Sequence, residues 1–230
     1  MGVFKKIRRD FTAVKTKDPA YPGGLRGALE ILLCYPGFHA LVAHRFLHFL
    51  HSGLKIPVLP KFLGYLVRLL TGIEIHPGAR IGSGVLIDHG MGVVIGSTAV
   101  IEDDVTLYHG VTLGAKGSER EGKRHPTVKK GAFIGSGAKI LGNVTVGAHS
   151  KVGAGSVVVR DVPSGTTVVG IPARVVKPRN TADDHMTDVA GGIAPEAALA
   201  ERLEKLQEEL DTLRRQLLVG TLPSRKREAV

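Results

Sequence analysis

The chain has 230 residues, a formal net charge of +10, thirty glycines, one cysteine and no tryptophan. That length can bury a real core, in one domain or one with appendages, and the lone Cys34 excludes disulfides within the chain and fits a reducing compartment. No apolar run reaches about 18 residues and no basic, apolar, small-residue leader opens the sequence, so a cytoplasmic protein without membrane spans is expected.

Residues 1–72 read as helical. Leu25, Ala28, Leu29, Leu32 and Leu33 recur at helical spacing, as do Leu41, Val42, Arg45, Phe46 and Phe49. Pro22, Pro36, Pro57 and Pro60 cut the region into short helices. It holds eleven Lys and Arg against three Asp and Glu. A basic front suits an anionic partner, but the aromatic residues that stack single-stranded bases are sparse. Pro57 and Pro60 make the apolar stretch Leu54–Leu70 a segment for core or subunit packing rather than a membrane-surface helix. Neither nucleic acid nor membrane is expected as a partner.

Residues 73–178 carry a six-residue beat. The marks are Ile75, Ile81 and Ile87, then Ile95, Ile101, Leu107 and Leu113, then Val128, Ile134, Ile140, Val146, Val152 and Val158. A hexad gives one short strand and a turn, and three hexads make one triangular coil. Four positions after a mark the residue is usually small or β-branched, as in Ala79, Val105, Ala138 and Ser156, and is expected to fill the corner beside the inward aliphatic. A sandwich of ordinary strands would alternate with period two, and that pattern is absent. The beat breaks twice. The first break adds two residues and contains Asp88 and His89; the second adds nine and ends in Arg124 and His125.

Residues 179–230 read as a linker followed by a helical, coiled-coil-like tail. Leu199, Leu203, Leu206, Leu210, Leu213 and Leu217 alternate steps of four and three.

A carboxylate beside an imidazole orients the ring and stabilises its charged form, which makes a general base for a hydroxyl. Asp88 and Glu74 are the candidate carboxylates for His89. A surface histidine with a capping aspartate fits the same spacing. In the loop at 114–127, GAKGSEREGKRHPT, Arg124 is suited to fork onto a carboxylate and His125 adds a donor. A solvated charge run is the alternative there.

The segments IHPGARIG, LIDHGMGVVIG, HGVTLG, KRHPTV, GAKILGNVTVG and GIPARVV closely resemble serine O-acetyltransferases of the hexapeptide-repeat acyltransferase superfamily, from about Asp18 to about Lys177. The resemblance implies a mainly β protein: a left-handed parallel β-helix behind an N-terminal α-helical domain. It implies homotrimers, singly or as a dimer of trimers, with active sites between neighbouring β-helices. The implied reaction moves acetyl from acetyl-CoA to the hydroxyl of L-serine, giving O-acetyl-L-serine for cysteine biosynthesis, with no metal.

By the same resemblance His89 is the catalytic base and Glu74 stands where the family has its aspartate partner, the motif here reading EIHP. Asp18 and Asp88 match substrate-binding acids, and Arg124 and His125 match the holders of the substrate carboxylate. Gly114, Ala115, Ser136, Lys151, Ala154, Arg174 and Lys177 match positions along the acetyl-CoA groove, with GAKG in place of a GGTG-like string. The resemblance admits a complex with O-acetylserine sulfhydrylase, but an ending of Glu228, Ala229 and Val230 does not support it. Three other readings stay open: a sugar or homoserine acceptor, a γ-carbonic-anhydrase-like metal enzyme using His89, His109, His125 or His149, and a non-enzymatic scaffold.

Overall fold

The computed structural model describes residues 2–117 and 122–176, together with Gln207 and Leu210. The chain separates into two compact units, Met1–Asp184 and His185–Val230. The linker at 179–194 and the heptads at 199–217, those two residues aside, lie outside the described residues.

Four α-helices open the first unit: α1 (Val3–Lys17), α2 (Gly24–Cys34), α3 (Pro36–His48) and α4 (Leu59–Thr71), with a π-helical turn at Phe49–Gly53 after α3. Proline sets two of the starts. Pro36 occupies the first turn of α3, where no amide partner is lost, and holds Tyr35 extended at φ −103°, ψ 92°. Pro60 likewise stands in the first turn of α4, and Gly72, at φ 71°, closes that helix in the left-handed region.

The helical spacing is where the sequence places it, but the faces are not. Leu25, Leu29, Leu32 and Leu33 are exposed, and α2 buries only Gly27 and Ile31. Phe62, Tyr65, Leu69 and Leu70 of α4 are exposed too, so Leu54–Leu70 is not core within one chain. Among the described residues no single helix is long and apolar enough to cross a membrane.

Fifteen strands follow among the described residues, none longer than three residues: β1 (Glu74–Ile75), β2 (Arg80–Ile81), β3 (Leu86–Ile87), β4 (Val94–Ile95), β5 (Val100–Ile101), β6 (Thr106–Leu107), β7 (Thr112–Gly114), β8 (Thr127–Val128), β9 (Phe133–Ile134), β10 (Lys139–Leu141), β11 (Thr145–Val146), β12 (Lys151–Val152), β13 (Val157–Val158), β14 (Thr167–Val169) and β15 (Arg174–Val176). They stack into three sheets that are the walls of a triangular prism. The first wall is β1-β4-β7-β10-β13, the second β2-β5-β8-β11, and the third β3-β6-β9-β12-β14 with β15 at its end. All neighbours are parallel except β14 and β15.

The register records both breaks. Glu74 pairs with Val94 across the first, Val94 with Thr112 over a regular turn of coil, and Thr112 with Lys139 across the second. All thirteen marks of the beat are buried, the most exposed being Ile75 at 7%. The residues four positions on, from Ala79 to Ser156, are buried with them. The inward column continues past Val158 after a step of four instead of six: Val162 pairs with Val146, Val168 pairs with Val152, and both join the same core. Each fully buried aliphatic contributes about 1.5–3 kcal/mol, so this inward column holds the coil closed.

A buried ion pair between two helices is hydrogen-bonded to the backbone of the coil. Arg45 of α3 and Asp10 of α1 meet at 2.9 Å with side chains 3% and 0% exposed. Arg45 also donates to the carbonyls of Ile81 and Gly82, and Asp10 accepts from the Val85 amide. Burial pushes the Asp10 carboxyl up, while the Arg45 charge and hydrogen bond pull it down. Gly37 lets α3 touch β3, since a β-carbon there would lie 2.0 Å from the Ile87 carbonyl oxygen.

Candidate active site

The first break lies on the prism edge between the third and first walls, because it joins β3 to β4. Its turn is closed by the Gly90 amide donating to the Asp88 carbonyl at 2.6 Å and the Met91 amide to the His89 carbonyl at 3.0 Å. His89 stands in this turn at φ 57°, a left-handed conformation that a β-carbon disfavours. Its ring is exposed and stands edge-on to His109, one coil further along the same edge, with centroids 5.9 Å apart.

The helices bring a second acid to this edge. Asp18 ends α1, and its Oδ2 accepts from the Tyr35 hydroxyl at 2.6 Å while its Oδ1 accepts from the Ala20 amide at 2.8 Å. The hydrogen bond to Asp18 pushes the Tyr35 phenol well up, with burial and the charges of Asp18, Glu30 and Asp88 adding to it. Burial raises the Tyr108 phenol, followed by the charges of Asp88 and Asp18. Both carboxylates therefore act on both phenols, and the structure gathers Asp18, Asp88, Tyr35 and Tyr108 beside His89. The Glu74 carboxylate is bonded to Arg68 of α4 at 2.6 Å, and no hydrogen bond joins it to His89.

The second break lies on a different edge, between the first and second walls, because its loop joins β7 to β8. Residues 118–121 of that loop are outside the described residues. Its far end is held by one threonine. Thr98 Oγ1 accepts from the Arg124 and His125 amides, both at 3.1 Å, and sits 2.8 Å from His125 Nδ1. The Thr98 amide also points at Nδ1, at 3.2 Å. Nδ1 is thus an acceptor, and the ring proton of the neutral imidazole belongs to Nε2. The ring lies over Gly96, where a β-carbon would approach Nε2 to 2.0 Å, so only glycine fits beneath it. Lys123 clamps the His125 carbonyl at 2.7 Å. The surroundings are cationic: His76 is pushed down by burial first, then by Lys61, His51, His125 and Arg124.

The residues assigned to acetyl-CoA divide between the same two edges. Ser136 and Ala154 follow His109 on successive coils, the Gly137 amide donating to the His109 carbonyl and the Gly155 amide to the Ser136 carbonyl, both at 2.8 Å. Gly114 and Ala115 start the loop on the other edge, with Gly114 paired to Leu141. Lys151 projects from β12 on the third wall, Arg174 is exposed on β15, and Lys177 lies outside the described residues. One chain thus brings His89, Asp88 and Asp18 together and keeps Arg124 and His125 apart from them. His149 falls on the third edge, between β11 and β12. No group of three or more His, Cys, Asp or Glu side chains is arranged to hold a metal among the described residues. Thr98, Tyr35, Tyr108 and Arg68 are the site residues that sequence reasoning passes over.

A three-walled coil of hexads, with Asp88, His89, Arg124 and His125 where the beat fails, fits the hexapeptide-repeat transferases. The family model described as bacterial transferase hexapeptide (six repeats) matches residues 125–160. A serine acetyltransferase of Synechococcus elongatus is 49% identical over 216 residues, covering 92% of this chain and 85% of that protein. A crystal structure of serine acetyltransferase from Brucella abortus in complex with coenzyme A superposes with a TM-score of 0.72 at 42% identity, covering 78% of this chain and 69% of that one. One from Neisseria gonorrhoeae in complex with serine gives a TM-score of 0.70 at 42% identity, covering 75% and 68%. The chain belongs to the serine acetyltransferase family, and its coil is the left-handed parallel β-helix of that family.

Proposed function

We propose that the protein transfers acetyl from acetyl-CoA to the hydroxyl of L-serine, releasing O-acetyl-L-serine and CoA, and so serves cysteine biosynthesis in the cytoplasm. The observation that carries this is His89 itself: an exposed imidazole in a disfavoured backbone conformation, beside two carboxylates that no protein cation pairs with among the described residues. Asp18 and Asp88 receive the serine ammonium. Arg124 and the Nε2–H of His125 receive its carboxylate. His89 takes the hydroxyl proton as the oxygen attacks the thioester carbon. The C–S bond then breaks, and the proton passes to the departing thiolate. Glu74 turns from Arg68 to steady the imidazolium.

This chemistry needs two chains. His89 and the Arg124–His125 clamp occupy different prism edges, and a neighbour related by three-fold symmetry sets one edge against the other. The same arrangement supports an acetyl-CoA groove with Ser136 and Ala154 from one chain and Gly114 and Ala115 from the next.

The test is thiol release from acetyl-CoA offered with L-serine, L-homoserine or a sugar. Serine-dependent release is expected, and its absence sinks the reading. His89→Ala is expected to lower kcat by at least about a hundredfold with the particle mass unchanged.

A further inference from the structure

Asp18 and Asp88 reach the first edge from two unrelated parts of the chain, the end of α1 and the end of β3; Asp18 accepts from one phenol and Asp88 stands in register beside another. Tyr35 is held at the α2–α3 junction by the proline after it, and its hydroxyl donates to Asp18 at 2.6 Å. Tyr108 follows β6 in register beside Asp88, whose amide donates to the Leu107 carbonyl at 2.8 Å, and is braced against the Phe133 ring at 5.3 Å between centroids. Among the described residues neither acid forms an ion pair with Lys, Arg or His. Lys17, the nearest cation in sequence, is turned away to the Gly84 and Asp104 carbonyls at 3.0 and 2.7 Å. A phenol suits such a place. It donates one hydrogen bond, fixing the carboxylate's rotation, and adds no positive charge to compete with a cationic ligand.

We infer that Tyr35 and Tyr108 are positioning residues that aim Asp18 and Asp88 at the substrate's ammonium group, and so make the site selective for an amino acid over a hydroxy acid of the same length. The inference rests on the serine-acetylation reading above. A hydrogen bond to a charged group is worth enough that losing one weakens the ammonium contact about tenfold. The carboxylate clamp lies on another edge, and the acetyl-CoA groove uses other residues, so neither should respond.

Tyr35→Phe and Tyr108→Phe each remove one oxygen atom. In the intact full-length protein, kcat and the KM values for L-serine and acetyl-CoA would be measured. Inhibition constants would be added for L-alanine, which has the amine without the hydroxyl, and for 3-hydroxypropanoate, which has the hydroxyl without the amine. For each variant the KM for L-serine and the inhibition constant of L-alanine are expected to rise about tenfold. The KM for acetyl-CoA, the inhibition constant of 3-hydroxypropanoate and kcat are expected to stay within about threefold. A rise shared equally by both inhibitors, or no rise in either, overturns the inference, because a merely structural role does not distinguish them. Tyr108 lies on the coil, so its variant keeps the test standing if Tyr35→Phe loosens the helices. If the wild type releases no thiol with serine, the acetylation reading falls alone. Calorimetric titration of L-alanine and 3-hydroxypropanoate into the three proteins then still decides on the tyrosines.

Discussion

Glu74 carries a side chain one methylene longer than the aspartate that the resemblance puts at its place, and Arg68 holds that side chain. Their side chains are 44% and 56% exposed, so the pair is worth no more than about 1 kcal/mol and yields to a stronger demand. On the proposed mechanism the imidazolium formed on His89 during acetyl transfer is such a demand. Glu74→Gln keeps the shape and removes the charge. It is expected to lower kcat about a hundredfold in the thiol-release assay with little change in either KM; an unchanged kcat would take Glu74 out of the chemistry. The residues legible in the sequence are those that interrupt the repeat: Asp88, His89, Arg124 and His125 stand where a regular hexad would place turn residues. Thr98 and Tyr35 have no such mark. Thr98 occupies an ordinary turn position and matters because the returning loop folds 27 residues back onto it. Tyr35 reaches Asp18 only because α1 and α2 double back on each other.

The helical elements show why periodicity finds a helix without finding its buried face. The helices attach to the coil through Ala40 and Leu41 of α3, which join its core, through Val14, Ile31 and Phe38 packed on Leu86, and through the polar contact of Asp10 and Arg45, rather than through the leucine stripe of α2. Removing one partner of such a pair strands a buried charge and costs roughly 3–5 kcal/mol. Beside Arg45 on α3 lies His44, 3% exposed, with neither ring nitrogen hydrogen-bonded. Burial first, then the charges of Arg45 and His48, push its pKa down to about 3. In the unfolded chain the imidazole titrates near ~6.5. Between those two values the unfolded state binds the extra proton. Stability is therefore intact above the unfolded pKa and falls as pH drops, at up to about 1.4 kcal/mol per pH unit. His44→Phe removes this contribution. Between pH 6.5 and 5 the variant is expected to lose about 2 kcal/mol less than the wild type, read from urea midpoints at each pH. Equal acid sensitivity in the two proteins would show that His44 is not buried neutral.

At the scale of the whole molecule the two irregularities of the repeat have one meaning. An inserted loop on the same edge as His89 would complete a site within one chain. The two-residue and nine-residue breaks instead fall on different edges, with the first wall between them. The repeat makes the length and place of each break legible in the sequence, but which edge each occupies follows only from counting strands around the prism. On the proposed mechanism a base on one edge and a clamp on another serve a single serine only across a contact between copies, which would link assembly and activity. Mixing variants makes that link measurable. His89→Ala and Arg124→Ala chains, unfolded together in equal amounts and refolded, would assemble at random. A contact with an intact base on one side and an intact clamp on the other then arises in about a quarter of all contacts. The mixture is expected to recover roughly that fraction of the wild-type rate, while each variant refolded alone stays inactive. A site contained within one chain predicts no recovery, since every chain in the mixture is defective. Mass measurement of the mixed particles fixes the number of copies in the same experiment, and removal of the tail after Pro178 is expected to leave both the mass class and the recovered quarter unchanged, because the edges that meet belong to the coil.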